Sequence, residues 1–200
     1  MAKQAQLRNK VGFAIGLLLL LVGCHHSTPA IVSIPNVYAL ADQPGWQRQE
    51  GRLWLKKELF SGWQYQLWPN GDTAFVGAFR EGRAEGKHRH WHANHQPKEV
   101  RQYQNGWQQG EQRGWYESGK PAFIYHFQND VYEGSLKEWY PNGRLARNGN
   151  YHEGHENGPQ KIWFAEGVLK ANYVARNGRN YGFTGVKNCV NVWDSLTGSH

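Results

Sequence analysis

The sequence predicts an all-β fold: an elongated, single-layer antiparallel sheet of stacked 24-residue β-hairpins. Three observations predict it. Glycines recur at a fixed interval, with Gly62, Gly86, Gly110, Gly134, Gly158 and Gly182 each 24 residues apart. A second column at that interval holds Gly71, His95, Gly119, Gly143 and Gly167, and a third holds Gly82, Gly106, Asp130, Gly154 and Gly178. Aromatic columns run between them: Leu67, Trp91, Trp115, Trp139, Trp163; then Trp68, His92, Tyr116, Tyr140, Phe164; then Phe79, Tyr103, Phe127, Tyr151. Lastly, short segments rich in aromatic and β-branched residues, such as Thr73 to Phe79 and Ala122 to Phe127, lie between turn signals. Self-similarity at a fixed period marks an architecture in which each unit buries its apolar surface only against its neighbours.

Taken in chain order, residues 1–23 read as an export signal. Basic Lys3, Arg8 and Lys10 precede the apolar run Val11 to Gly23, which is shorter than the ~20 residues of a membrane-spanning helix but suits a signal-peptide core. Leu21-Val22-Gly23-Cys24 resembles a bacterial lipobox, which implies that Cys24 is lipidated and becomes the mature N-terminus. His25 follows in place of the aspartate associated with inner-membrane retention, so the expected location is the bacterial envelope, lipid-anchored, at the outer rather than the inner membrane. Without residues 1–23, twenty basic residues face sixteen acidic ones. The basic residues are interleaved with acids, as in KKELF and REGRAEGK, so no block reads as a nucleic-acid track. With Cys24 lipidated, Cys189 has no partner within the chain, and the fold does not rest on a disulfide. Residues 24–45 carry three prolines and no period and read as a tether, within which Ala30 to Ile34 offers a possible edge strand.

Residues 46–186 form the repeat array. Pro69-Asn70-Gly71-Asp72 and Pro141-Asn142-Gly143-Arg144 read as hairpin turns of type I′, because Asn-Gly accepts positive φ. Glycine-bearing loops such as Arg80 to Glu85 link one unit to the next. A lone hairpin is marginal in water, so the units stack, advancing about 9.6 Å per two strands. Adjacent residues on a strand face opposite sides, which puts the columns of Trp91 and His92 on opposite faces, one as core and one toward solvent or a partner. Residues 187–200 read as a cap strand, Lys187 to Trp193, followed by a tail.

The stretch Phe75-Val76-Gly77-Ala78-Phe79-Arg80-Glu81-Gly82-Arg83-Ala84-Glu85-Gly86 resembles the MORN repeat, and Gly149 to Gly158 matches its second half. The 24-residue spacing, with Trp115-Tyr116 and Trp139-Tyr140, fits the bacterial variant of that repeat over residues 52–182. The resemblance implies a β-hairpin array with a binding or scaffolding role. Proteins of this variant type are sometimes labelled antitoxin-like.

Four histidines crowd into residues 86–96 around Trp91. His92 stands in an aromatic column and His95 in a glycine column, which reads as drift of the repeat. His88, His90 and His92 nevertheless alternate and, on a strand, project from one face about 6.8 Å apart, the arrangement of a strand-borne metal site. No nucleophile, base and oxyanion-donor set appears, so an enzyme is not expected. The leading expectation is a lipid-anchored envelope protein that binds a protein partner or scaffolds an assembly, using Trp91, Trp115, Trp139 and Trp163 or the opposite column. The alternatives are an immunity or antitoxin-type protein, and a glycan- or metal-binding lipoprotein; no cofactor is expected.

Overall fold

The computed structural model describes residues 33–185, and every described element is a strand. The export segment, Cys24, Cys189 and the 187–200 cap and tail lie outside the described residues. The array opens with hairpins β5 (Gly62–Leu67) to β6 (Thr73–Arg80) and β7 (Arg83–Trp91) to β8 (Pro97–Gln104). Next come β9 (Trp107–Gln108) and β10 (Gly110–Trp115), one strand interrupted at Gln109, which returns as β11 (Pro121–Gln128). β12 (Val131–Trp139) returns as β13 (Leu145–His152), and β14 (His155–Glu156) with β15 (Gly158–Trp163) returns as β16 (Leu169–Arg176). β17 (Arg179–Phe183) ends the 14-stranded sheet, in which each array strand pairs antiparallel with its sequence neighbour. The expected fold is therefore the observed one.

Both ends of each hairpin depend on positive φ, but the two turns differ from the expected assignment. The type I′ pairs are Glu81-Gly82, Asn105-Gly106, Asn129-Asp130, Glu153-Gly154 and Asn177-Gly178, with both residues of each pair at positive φ. In Pro69-Asn70-Gly71 only Gly71 is at positive φ; Gly71 N–H donates to Trp68 O at 2.9 Å, and Trp68 N–H donates to Asp72 O at 2.7 Å. Proline holds φ near −65° and has no N–H for the ladder, so it cannot flank a two-residue loop and instead starts a three-residue one. His95 (φ 65°) and Asp130 (φ 64°) adopt the conformation of the glycines they replace.

Each hairpin also carries a bulge just after the proline-side turn, for example where Trp115 pairs with Pro121 but Gly114 with Phe123. A second irregularity lies near Gly86, Gly110, Gly134 and Gly158, where one strand gains two residues over its partner, as between Val76↔Arg89 and Ala78↔Glu85. A buried side chain fills that gap. Gln112 accepts from Gln102 N–H at 2.7 Å and donates to Gln102 O (3.1 Å) and Gln109 O (3.3 Å), and Gln160 donates to Asn150 O at 2.7 Å. The type I′ turns are capped in the same periodic way: Ser61, Glu85, Gln109 and Glu133 accept the N–H of Glu81, Asn105, Asn129 and Glu153.

At the N-terminal end, β1 (Tyr38–Leu40) pairs parallel with β5, while β2 (Trp46–Gln49), β3 (Arg52–Leu55) and β4 (Glu58–Leu59) form a separate three-stranded sheet. Leu53 and Phe60 from that sheet region are buried with Ala39 and Phe79, and Gly82 bonds both Leu53 and Phe60 through the backbone. The stretch read as a tether thus contributes an edge strand at 38–40, with Ala39 inserted in the core. Residues 33 and 34 of the candidate strand 30–34 are described and are not in a strand. Residues 46–59 fold as a cap on the array rather than as its first repeat.

Candidate binding face

Strand alternation and the pairing register sort the side chains. One face carries Phe75, Phe79, Tyr103, Phe127 and Tyr151 with Gln112, Leu136 and Gln160; Phe79 and the last three are buried. Its acids are engaged locally: Glu99 with Arg101 at 2.9 Å, Glu138 with the Tyr125 hydroxyl at 2.7 Å, and Glu156 with Arg147 at 2.7 Å and the Tyr173 hydroxyl at 2.9 Å. Burial and the Glu156 contact push the Tyr173 phenol up to about 12, so it is a fixed donor.

The opposite face holds the tryptophans. Trp91, Trp115, Trp139 and Trp163 are half-buried at the ends of β7, β10, β12 and β15. Two residues earlier on each of these strands stands an exposed cation: Arg89, Arg113, Lys137 and Lys161. Cross-strand pairing sets these cations in one line, Arg89 beside Val100, Val100 beside Arg113, Arg113 beside Ile124, Ile124 beside Lys137, Lys137 beside Asn148 and Asn148 beside Lys161. Neighbouring cations are two strands apart, about 9.6 Å. Arg113 donates to Glu111, whose carboxyl is held below its ordinary range chiefly by that hydrogen bond. Among the described residues Arg89, Lys137 and Lys161 make no side-chain hydrogen bond or ion pair. A groove of about 450 Å³ on this face is lined by Lys87, Val100, Gln102, Glu111, Arg113 and Trp115, and one of about 400 Å³ beside Trp91 by Asp72, Thr73, Val76 and His95.

The tyrosine column next to the tryptophans does not form the stripe expected on the other face. These residues fall in the turns beyond the strand ends, where alternation stops. The Tyr116 hydroxyl donates to Trp139 O at 2.5 Å and that of Tyr140 to Trp163 O at 2.8 Å, tying each hairpin tip to the next.

The histidines follow the same columns. His92 Nε2 lies 2.9 Å from Trp115 O, making the tyrosine's contact with a shorter ring. His88 is buried, in the column of Gln112 and Gln160, with Nε2 at 2.8 Å from Ala78 O. Burial lowers its pKa to about 4, and a carbonyl acceptor requires the neutral ring to donate from Nε2. His90 is lowered too, chiefly by burial, opposed by Glu99 at 3.6 Å. His88 and His90 do share a face, on two sides of Phe75, but His92 is turned away to the tip. Among the described residues no three His, Cys, Asp or Glu side chains converge as a metal site.

The cation line is the surface feature that sequence reading missed. Its signal was the 24-residue spacing itself, obscured by acids close in sequence: Glu138, next to Lys137, is engaged by the Tyr125 hydroxyl on the other face, and Glu111 pairs with Arg113 on the same one.

Two adjacent stretches, residues 108–129 and 132–153, match the family model described as MORN repeat variant. They correspond to the hairpins β10–β11 and β12–β13 at the centre of the array. No curated protein sequence matches the chain. Repeats of this kind are commonly non-enzymatic modules that bind proteins or membranes, and a binding scaffold is compatible with that.

Proposed function

We propose that the chain is a lipid-anchored, non-catalytic scaffold of the bacterial envelope, held through Cys24, whose tryptophan and cation rows dock a partner bearing negative charge. The observation that carries this reading is the exposed line Arg89, Arg113, Lys137 and Lys161, which repeats with every hairpin from β7 to β15 and of which only Arg113, paired with Glu111, has a side-chain partner among the described residues. Aromatic rings and arginine are enriched in binding patches, and this face sets both in register. The export and lipidation signals at residues 1–24 support the location.

The test is a crosslinked pull-down from membranes with the full chain, Cys24→Ser and Arg113→Gln/Lys137→Gln. The expected result is one abundant co-purifying species, lost with Cys24→Ser and reduced by the double substitution. Equal recovery from all three forms would overturn the reading.

A further inference from the structure

We infer that the partner of this face is an extended acidic polysaccharide, one anionic disaccharide per hairpin; this rests on the scaffold reading above and names its ligand. A row of like charges two strands apart is a ruler with a pitch of about 9.6 Å. An extended peptide shows side chains on one face every ~6.8 Å, so its charges fall out of step with that ruler. A disaccharide in extended β-linkage is close to the hairpin spacing in length, so a uronate-containing strand brings one carboxylate to each cation.

The tryptophan row completes the fit. Each ring stands two positions along the strand from its cation, about 6.8 Å to the side of the cation row, so a polymer stacked on Trp115 and Trp139 runs beside that row with its carboxylates within reach of the long side chains of Arg113 and Lys137. Between the cations, Asn148 supplies amide donors and acceptors of the kind sugar hydroxyls need. Sheet twist separates a polymer from a flat surface. Successive strands rotate by roughly 20–25°, so cations on successive hairpins point about 45° apart. A planar bilayer meets one or two of them, whereas a flexible chain follows the row.

The experiment uses the full chain in detergent micelles, titrated with alternating glucuronate–N-acetylglucosamine oligosaccharides of one to four disaccharides and read by tryptophan fluorescence and calorimetry. Poly-glutamate, a neutral chitin oligosaccharide and anionic vesicles are run alongside. The expected affinity rises about tenfold or more from one disaccharide to four, as linked sites on one polymer require. Arg113→Gln/Lys137→Gln and, separately, Trp139→Ala each weaken the four-disaccharide ligand about tenfold or more, with the far-UV spectrum unchanged; the chitin oligosaccharide and poly-glutamate bind at least about tenfold more weakly. Affinity independent of length, binding untouched by the cation variant, equal binding of poly-glutamate or vesicles, or no uronate binding would each overturn the inference. If uronate binding fails while the pull-down still captures a species that depends on Arg113 and Lys137, the glycan is wrong and the scaffold stands.

Discussion

Gln112 tests whether the side chains lying across the strand irregularities hold the array together by hydrogen bonding or by bulk. Its side chain is fully buried and makes three bonds to backbone, so Gln112→Ala leaves Gln102 N–H and Gln109 C=O without their side-chain partner. Gln102 O keeps a second donor, the N–H of Gln109 at 2.9 Å, and is not orphaned. Two orphaned groups at about 1–3 kcal/mol each predict a loss of about 2–6 kcal/mol. The discriminating variant is Gln112→Leu. It restores volume, as Leu136 does in the same column, while keeping water from the orphaned groups, so it is expected to stay about 2 kcal/mol or more below the parent. The assay is urea unfolding of the chain from residue 25, followed by tryptophan fluorescence, with amide exchange at Gln102 as the local readout. A Leu variant as stable as the parent, with Gln102 exchange unchanged, would show that packing alone holds this position and would refute the hydrogen-bond account.

Other positions give sharper contrasts. His88 is neutral when folded, with a pKa of about 4 against about 6.5 unfolded, so the unfolded chain binds more protons between these values. Its stability contribution is therefore complete above pH 6.5 and falls as pH drops, by about 3 kcal/mol at pH 4, and His88→Gln is expected to flatten that acid limb in unfolding curves measured at several pH values. Tyr116→Phe and Tyr140→Phe each remove a tip contact and are expected to cost about 1 kcal/mol, whereas His92→Tyr restores the column residue and costs nothing measurable in the same assay. Gly114→Ala would set a methyl 2.1 Å from the Phe123 ring, which is stacked on Tyr125, and is expected to cost about 2 kcal/mol or more in melting experiments. Gly110→Ala meets nothing within 4 Å and loses only about 1 kcal/mol from its positive φ, so equal melting shifts would contradict the steric argument.

The hairpin array was legible because a 24-residue period in glycine and aromatic residues reports the strand and turn sequence directly. What the period does not report is where alternation breaks. Counting from Trp91 to His92 predicts opposite faces, but the strand ends at Trp91, and His92 belongs to a turn. The turn types were interchanged for a related reason. Asn-Gly is a general signal for positive φ; the proline before Asn70-Gly71, through its missing N–H, rules out the two-residue loop there, but the same three-residue loop forms without proline at Tyr116 to Lys120 and Phe164 to Val168, so the turn type follows the repeat position. The N-terminal cap has no periodic signal at all. Its packing through Leu53 and Phe60 is a tertiary contact made once.

The cation line was the least legible feature and separates recurrence that the fold requires from recurrence that it does not. Columns that the fold requires exchange residues freely as long as the contact survives: histidine replaces glutamine at 88 and tyrosine at 92, and histidine or aspartate replaces glycine at 95 and 130. Each replacement is explained by one hydrogen bond or one value of φ. The column of Arg89, Arg113, Lys137 and Lys161 obeys a different rule. It keeps only charge, while its length, branching and hydrogen-bond geometry vary between arginine and lysine, and apart from the Arg113–Glu111 contact no described neighbour uses it. A sheet surface is indifferent to whether an exposed residue is cationic, threonine or glutamine, and a line of like charges raises the self-repulsion of the array. A feature that folding does not need and mildly opposes, repeated four times in register, is what the proposed partner, carrying the opposite charge at the same interval, would account for.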